Sequence, residues 1–309
     1  MGRQKSRSIK QQLYHTINEN FKEAMDKHNL KKDGKMDGTR IFSYADRKNL
    51  VDFTANFANW MYVEHKEIRL VKDINSKHVQ EFLDFKGKTC SKATVEQYMS
   101  KANKMQRLIN KTYNLNNKLE IKLPEKIKHK QKIRDKQMEI KDWESLKKIV
   151  NPNADKALDV ARYFGLRVSA VVKLQKRDIN LKEGYVKVVD SKGKKTRKVD
   201  IVTEKQMEIA KKLFNSVTGA EQRIVPIQAG SVNAEIRRKM EQLEIKQDYK
   251  KTSTHAVRKL YAQETFNRVR EEGMTIMEAR EYTSDQLGHT EERGDTDDKL
   301  MKTYVRSLR

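Results

Sequence analysis

Four short segments in the C-terminal half place polar side chains where a helical core needs none. They are Phe164-Gly165-Leu166-Arg167-Val168-Ser169, Ser191-Lys192-Gly193, Thr254-His255-Ala256-Val257-Arg258, and Leu287-Gly288-His289 with Lys302-Thr303-Tyr304-Val305 downstream. Arg167 and Arg258 each offer a planar fork of donors that matches phosphate oxygens, a geometry lysine does not reproduce. His255 stands three residues before Arg258 and so falls on nearly the same helix face, where imidazole and guanidinium can converge on one phosphate. Lys192 precedes Gly193, which permits a tight backbone turn able to deliver an ammonium.

Each segment also has an ordinary structural reading. Arg167 can be a surface arginine after a helix-ending Gly165, His-x-x-Arg recurs in basic helices, and either histidine can be a satisfied structural residue. Tyr304 can be one amphipathic-helix tyrosine among the 11 in the chain. What sets the segments apart is their order. An Arg after a Gly-Leu turn, a hairpin Lys, His-x-x-Arg, Leu-Gly-His and a Tyr further on together resemble the active-site motifs of the tyrosine recombinase family, which includes phage integrases, Xer-type resolvases and Cre-like enzymes. The N-terminal half is similar in pattern to the helical core-binding domain of that family.

The resemblance implies a role for each residue. Breaking a phosphodiester needs a nucleophile, neutralisation of charge on the non-bridging oxygens and a proton for the departing sugar oxygen. Tyr304 is then the nucleophile, leaving a 3'-phosphotyrosine and a free 5'-hydroxyl. Arg167 and Arg258 hold the growing charge, His255 exchanges a proton with the tyrosine hydroxyl or a phosphate oxygen, and His289 hydrogen-bonds the phosphate. Lys192 protonates the leaving oxygen, with Lys194 and Lys195 as substitutes if the hairpin register shifts and as phosphate contacts otherwise. No metal or cofactor is implied, because the phosphotyrosine conserves the energy of the broken bond. The implied partners are double-stranded DNA carrying inverted-repeat core sites and a homo-tetramer formed on paired sites, with room for an accessory DNA-bending protein. Rival readings are a type IB topoisomerase, which shares the chemistry, and a catalytically silent DNA-binding protein.

Three features depart from the family pattern. Ala170 stands where many relatives carry a Glu three residues after the first catalytic Arg, so Arg167 must be held differently. The stretch from His289 to Tyr304 is longer than usual, with Glu291, Glu292, Arg293, Gly294 and Asp295 as an apparent insertion. Only Val305 to Arg309 follow the tyrosine, so exchange of a long tail between subunits is not expected.

The elements that must position these residues follow from periodicity. Ile9, Leu13, Ile17, Phe21 and Met25 mark one face of a helix from Ser8 to about His28, which the glycines of the stretch from Lys31 to Gly38 break. Further helices are predicted around Leu50 to Met61, Ser76 to Phe85, Thr94 to Tyr113, Trp143 to Val150 and Ala154 to Leu174. Two alternating runs, Tyr185 to Val189 and Thr196 to Val202, predict a hairpin joined at Ser191 to Lys194. Thr203 with Gln206 resembles a capping box. Helical patterns return over Asn233 to Leu243, Thr254 to Arg270, Ile276 to Leu287 and Asp297 to Leu308.

Composition agrees with a polyanion-binding protein. In 309 residues, 67 Lys and Arg outweigh 43 Asp and Glu, for a net charge of +24, which suits DNA, RNA or an anionic surface. No apolar run approaches a membrane span and MGRQKSRSIK lacks the apolar core of a secretion signal, so a cytoplasmic, DNA-associated protein is expected. A single cysteine, Cys90, excludes an intrachain disulfide and makes structural zinc improbable. The expected fold is mainly α with a small β-hairpin, arranged as a two-domain DNA clamp. Residues 1–121 form the helical core-binding domain, 122–139 a basic linker and 140–309 the catalytic domain. In the linker, Lys126, Lys128, Lys130 and Lys132 are expected to contact phosphates, the alternative being a solvated basic loop.

Overall fold

The structure is a computed structural model that describes residues 7–22, 38–125, 127, 136–189, 196–249, 253–289 and 298–306. The chain divides into two compact units, Met1–Gln131 and Lys132–Arg309.

In the first unit, α1 (Ile9–Glu19), α2 (Tyr44–Glu64), α3 (Ser76–Gly87) and α4 (Lys92–Tyr113) enclose an apolar core. Ser8 starts α1 with a capping box to Gln11. The helix expected to continue to about His28 stops at Glu19, because the backbone leaves the helix to pair with a later segment. Lys22 N–H donates to the Ile41 carbonyl at 3.0 Å, and Ile41 N–H donates to the Asn20 carbonyl at 2.9 Å. Met25 and His28 lie outside the described residues. Aromatic edges fill the centre, with Phe82 meeting Phe57 at 5.1 Å and Tyr98 at 5.5 Å between ring centroids. Leu123 and Ile127 pack against this core.

The second unit contains α5 (Ile140–Ile149), α6 (Pro152–Tyr163), the single turn α7 (Val168–Val171), a three-stranded antiparallel sheet, α8 (Glu204–Asn215), α9 (Ala229–Gln242), α10 (Lys246–Tyr249), α11 (Ser253–Glu271), α12 (Ile276–Gln286) and α13 (Asp298–Tyr304). The helical pattern over Ala154 to Leu174 divides at the Gly-Leu turn, where Gly165 adopts φ +60° and a Cβ would overlap the Tyr261 ring. The sheet runs β1 (Ile179–Asn180), β2 (Tyr185–Val188) and β3 (Arg197–Asp200), with Val188 opposite Arg197 and Tyr185 opposite Asp200. The hairpin strands are as expected but shorter. β1 went unforeseen because two residues cannot display an alternation. Thr203 caps α8 through a capping box with Gln206.

The axis of this unit is α11. Every residue from Ala256 to Ala262 is buried, including Arg258 and Lys259. It packs on α6, α9, α12 and α13, so no side of its middle faces water. A helix buried all round is usually apolar all round. The two buried cations in this one mark it as more than core.

Candidate active site

Three elements bring Tyr304 against the middle of α11. The Leu287-Gly288-His289 turn closes α12, with the Gly288 N–H donating to the Asp285 carbonyl at 2.7 Å and the His289 N–H to the Ser284 carbonyl at 3.0 Å. Gly288 takes φ +65°, a conformation that suits glycine. The residues around the tyrosine anchor α13, as Met301 and Val305 are buried. Arg306 donates its backbone N–H to Gln263 Oε1 at 2.6 Å and its Nη2 to the Gln137 carbonyl at 3.0 Å and to Glu139 Oε1 at 2.9 Å.

The result is an enclosed phenol. Tyr304 is 4% exposed. Its ring centroid lies 5.3 Å from that of His255 and 5.1 Å from that of His289, and the Arg258 guanidinium sits 5.7 Å from it. Residues distant in sequence thus meet at one point.

Electrostatically the pocket is one-sided. Arg258 Nη2 donates to the Leu287 carbonyl at 2.5 Å, whereas its buried Nε and Nη1 have no hydrogen-bond partner among the described residues. Burial lowers the Arg258 pKa to about 9, Tyr304 opposes that shift, and Arg167 and Arg197 add to it. His289 is pushed down to about 3, first by burial and then by Arg258, Arg167, Arg197 and His255, so it is neutral near pH 7 and its buried Nδ1 has no partner among the described residues. Unpaired donors and cations buried together are costly unless an anion completes them.

Of the residues singled out in the sequence, His255, Arg258 and His289 each lie beside the Tyr304 ring. Arg167 stands at the N-terminus of α7, half-buried, and its charge reaches Arg258 and His289. Lys192, Lys194 and Lys195, the linker lysines Lys126, Lys128, Lys130 and Lys132, and the insertion Glu291 to Asp295 lie outside the described residues. One residue at the site was missed. Arg197 on β3 donates Nη1 to the Gln286 carbonyl, and its charge acts on both Arg258 and His289. Its signal was present, since it stands two positions before the buried Val199 and hence on the inward strand face, where an arginine is out of place.

The profile of the phage integrase family matches residues 136–291. This chain belongs to the phage integrase family, the tyrosine recombinases, and membership implies DNA cleavage and rejoining. Among solved structures, a XerH site-specific recombinase bound to palindromic difH substrate is similar with a TM-score of 0.61 at 14% identity, covering 96% of this chain and 90% of that one. A lambda integrase dimer on a core site has a TM-score of 0.57 at 16% identity over 91% of this chain and 95% of its own. The Tn1549 transposon integrase with circular intermediate DNA has a TM-score of 0.57 at 12% identity over 97% and 95%. At these identities the likeness is one of fold. No curated protein matches the sequence. Among the described residues no helix is long and apolar enough to cross a membrane.

Proposed function

We propose that this chain is a site-specific DNA recombinase whose nucleophile is Tyr304. The observation that carries the reading is the enclosure of the Tyr304 ring by His255, His289 and the buried Arg258. In the first step the Tyr304 oxygen attacks the scissile phosphorus, and its proton passes to His255 or to a phosphate oxygen. The bond to the 5'-oxygen breaks, and Lys192 supplies that oxygen with a proton. Arg167 and Arg258 hold the charge that grows on the non-bridging oxygens, and His289, neutral, hydrogen-bonds one of them. Attack of a 5'-hydroxyl from the partner duplex on the 3'-phosphotyrosine reverses the step and restores the tyrosine.

Both units bind the same duplex in this reading, with residues 1–121 as the core-binding domain, 140–309 as the catalytic domain and the lysines of 122–139 on the phosphate backbone between them. Exchange passes through a Holliday junction held by four protomers, whether the outcome is integration, excision or resolution. A lambda integrase tetramer bound to a Holliday junction, similar in fold with a TM-score of 0.57, supports that stoichiometry.

The test works without a defined target sequence. A pool of nicked duplexes with randomised sequence is incubated with the protein, and covalent adducts are isolated under denaturing conditions and sequenced. Inverted-repeat sites linked to Tyr304 are expected. Adducts that form without sequence preference and relax supercoils at single sites would turn the reading toward a topoisomerase.

A further inference from the structure

Arg197 takes part in none of the roles above, yet it is built into the wall of the pocket. Its Nε is buried without a hydrogen-bond partner among the described residues. Its Nη1 donates to the carbonyl of Gln286, the last residue of α12. Gly288, two residues on, lies so close that a Cβ there would overlap the guanidinium Nε. The next residue is His289. The turn thus packs closely against the Arg197 side chain, and glycine is needed at 288 for space as well as for φ.

The same strand grips the same turn a second time. Asp200 N–H donates to Gln286 Oε1 at 3.0 Å, and Gln286 Nε2 donates back to Asp200 Oδ2 at 3.0 Å. Tyr282 donates its hydroxyl to Asp200 Oδ2 at 3.3 Å. A neutral donor at 197 could make one bond to a carbonyl without the cost of burying a cation. What a neutral donor would lack is the breadth of the guanidinium, which meets the Gln286 carbonyl and crowds Gly288 at once.

We infer that Arg197 is a positioning residue for strand cleavage: from β3 it fixes the Leu287-Gly288-His289 turn and so sets where His289 meets the scissile phosphate. The inference rests on the reading of the Tyr304 pocket as the reaction centre. It also ties two parts of the chemistry together, because β3 is the strand that follows Lys192 in the sequence. Displacing His289 by about an ångström is enough to cost roughly 10²-fold in rate.

The experiment uses a nicked duplex recovered from the randomised pool and follows single-turnover adduct formation by the full chain. Arg197→Met is expected to lose about 10²-fold, and Arg197→Lys, which keeps a cation but not the fork, part of that. A scissile phosphate replaced by neutral methylphosphonate should rescue Arg258→Ala, which has lost a phosphate contact, but not Arg197→Met. In DNA-free protein, NMR titration of His289, faced by Arg258, Arg167, Arg197, His255 and the Tyr304 ring, should show its pKa raised in Arg197→Met. Gly288→Ala displaces the turn with Arg197 intact and should lose cleavage likewise, so an Arg197→Met chain that fails to fold leaves two informative variants. Unchanged cleavage and unchanged His289 titration in Arg197→Met overturn the inference, as does methylphosphonate rescue, which would make Arg197 a direct phosphate contact. An unmutated chain that forms no Tyr304 adduct overturns instead the reading of the pocket.

Discussion

Two clusters of charge in the second unit, each built around a buried member, follow opposite principles. Beneath α5, α6 and α8, Asp159 is 1% exposed and bonded by Lys147 and by Lys212 at 3.1 Å, while Asp155 receives Lys147 at 2.7 Å and Lys212 at 3.4 Å. Two carboxylates meet two ammoniums, and the cluster is complete. Around Tyr304, Arg258, Arg197 and His289 carry buried nitrogens without partners among the described residues, and the charges that act most strongly on His289 are all cationic. The first cluster is balanced, whereas the second leaves buried donors and cations unmatched, which is costly unless an anion completes them.

The sharpest way to break this contrast is Tyr304→Phe, which keeps the ring and removes only the attacking oxygen. Covalent adduct should vanish while DNA binding and thermal stability stay as they are. Persistence of adduct in this variant would place the nucleophile elsewhere and empty the cationic pocket of its meaning.

Next come paired substitutions, one in each cluster. Arg258→Met should lower cleavage by roughly 10²- to 10³-fold, the usual loss for a preorganised transition-state donor, without lowering the unfolding midpoint, since an unpaired buried cation is removed. Asp159→Asn should do the reverse, costing about 3 kcal/mol of stability by leaving ammoniums without their carboxylate and sparing cleavage in the folded fraction. Calorimetry and single-turnover assays on both variants decide it. Equal destabilisation would make Arg258 a structural residue like Asp159.

The linker lysines would form a third kind of charge, exchanged with solvent ions and not buried. Replacing Lys126, Lys128, Lys130 and Lys132 with Gln should reduce the slope of log affinity against log salt by roughly 3 to 4, near 0.9 per phosphate contact. An unaltered slope would remove them from the interface.

The smallest effect concerns pH. His289 titrates in the folded chain at about 3, below the ordinary histidine range, so between the two values the unfolded chain binds the extra proton. Its contribution to stability is present above the ordinary histidine pKa and is lost as pH falls toward 3. His289→Gln should therefore weaken the acid sensitivity seen in unfolding curves across that window. Parallel curves for the two proteins would mean that His289 is not held neutral by the pocket.

Much of this was legible in residue order alone. The amphipathic helices of the first unit, the hairpin and the Thr203 cap are local features, set by spacing and by side chains a few residues apart. The order of Arg167, His255, Arg258, His289 and Tyr304 along the chain is what pointed to phosphate chemistry. Other features required the tertiary structure. Phe21 read as a helix position until Ile41 bonded the backbone on either side of it, and only the Tyr261 ring, far along the chain, shows why no side chain fits at Gly165. The spacing of Thr254 to Arg270 predicts a helix but not that its middle, Arg258 and Lys259 included, is enclosed on every side. Arg197 had a signal on the inward strand face, but what it grips, Gln286 and Gly288, comes to it only across the fold. Spacing along a chain records which groups share a face. Which faces are buried, and which charges remain unmatched once they are, is decided only when distant segments pack together.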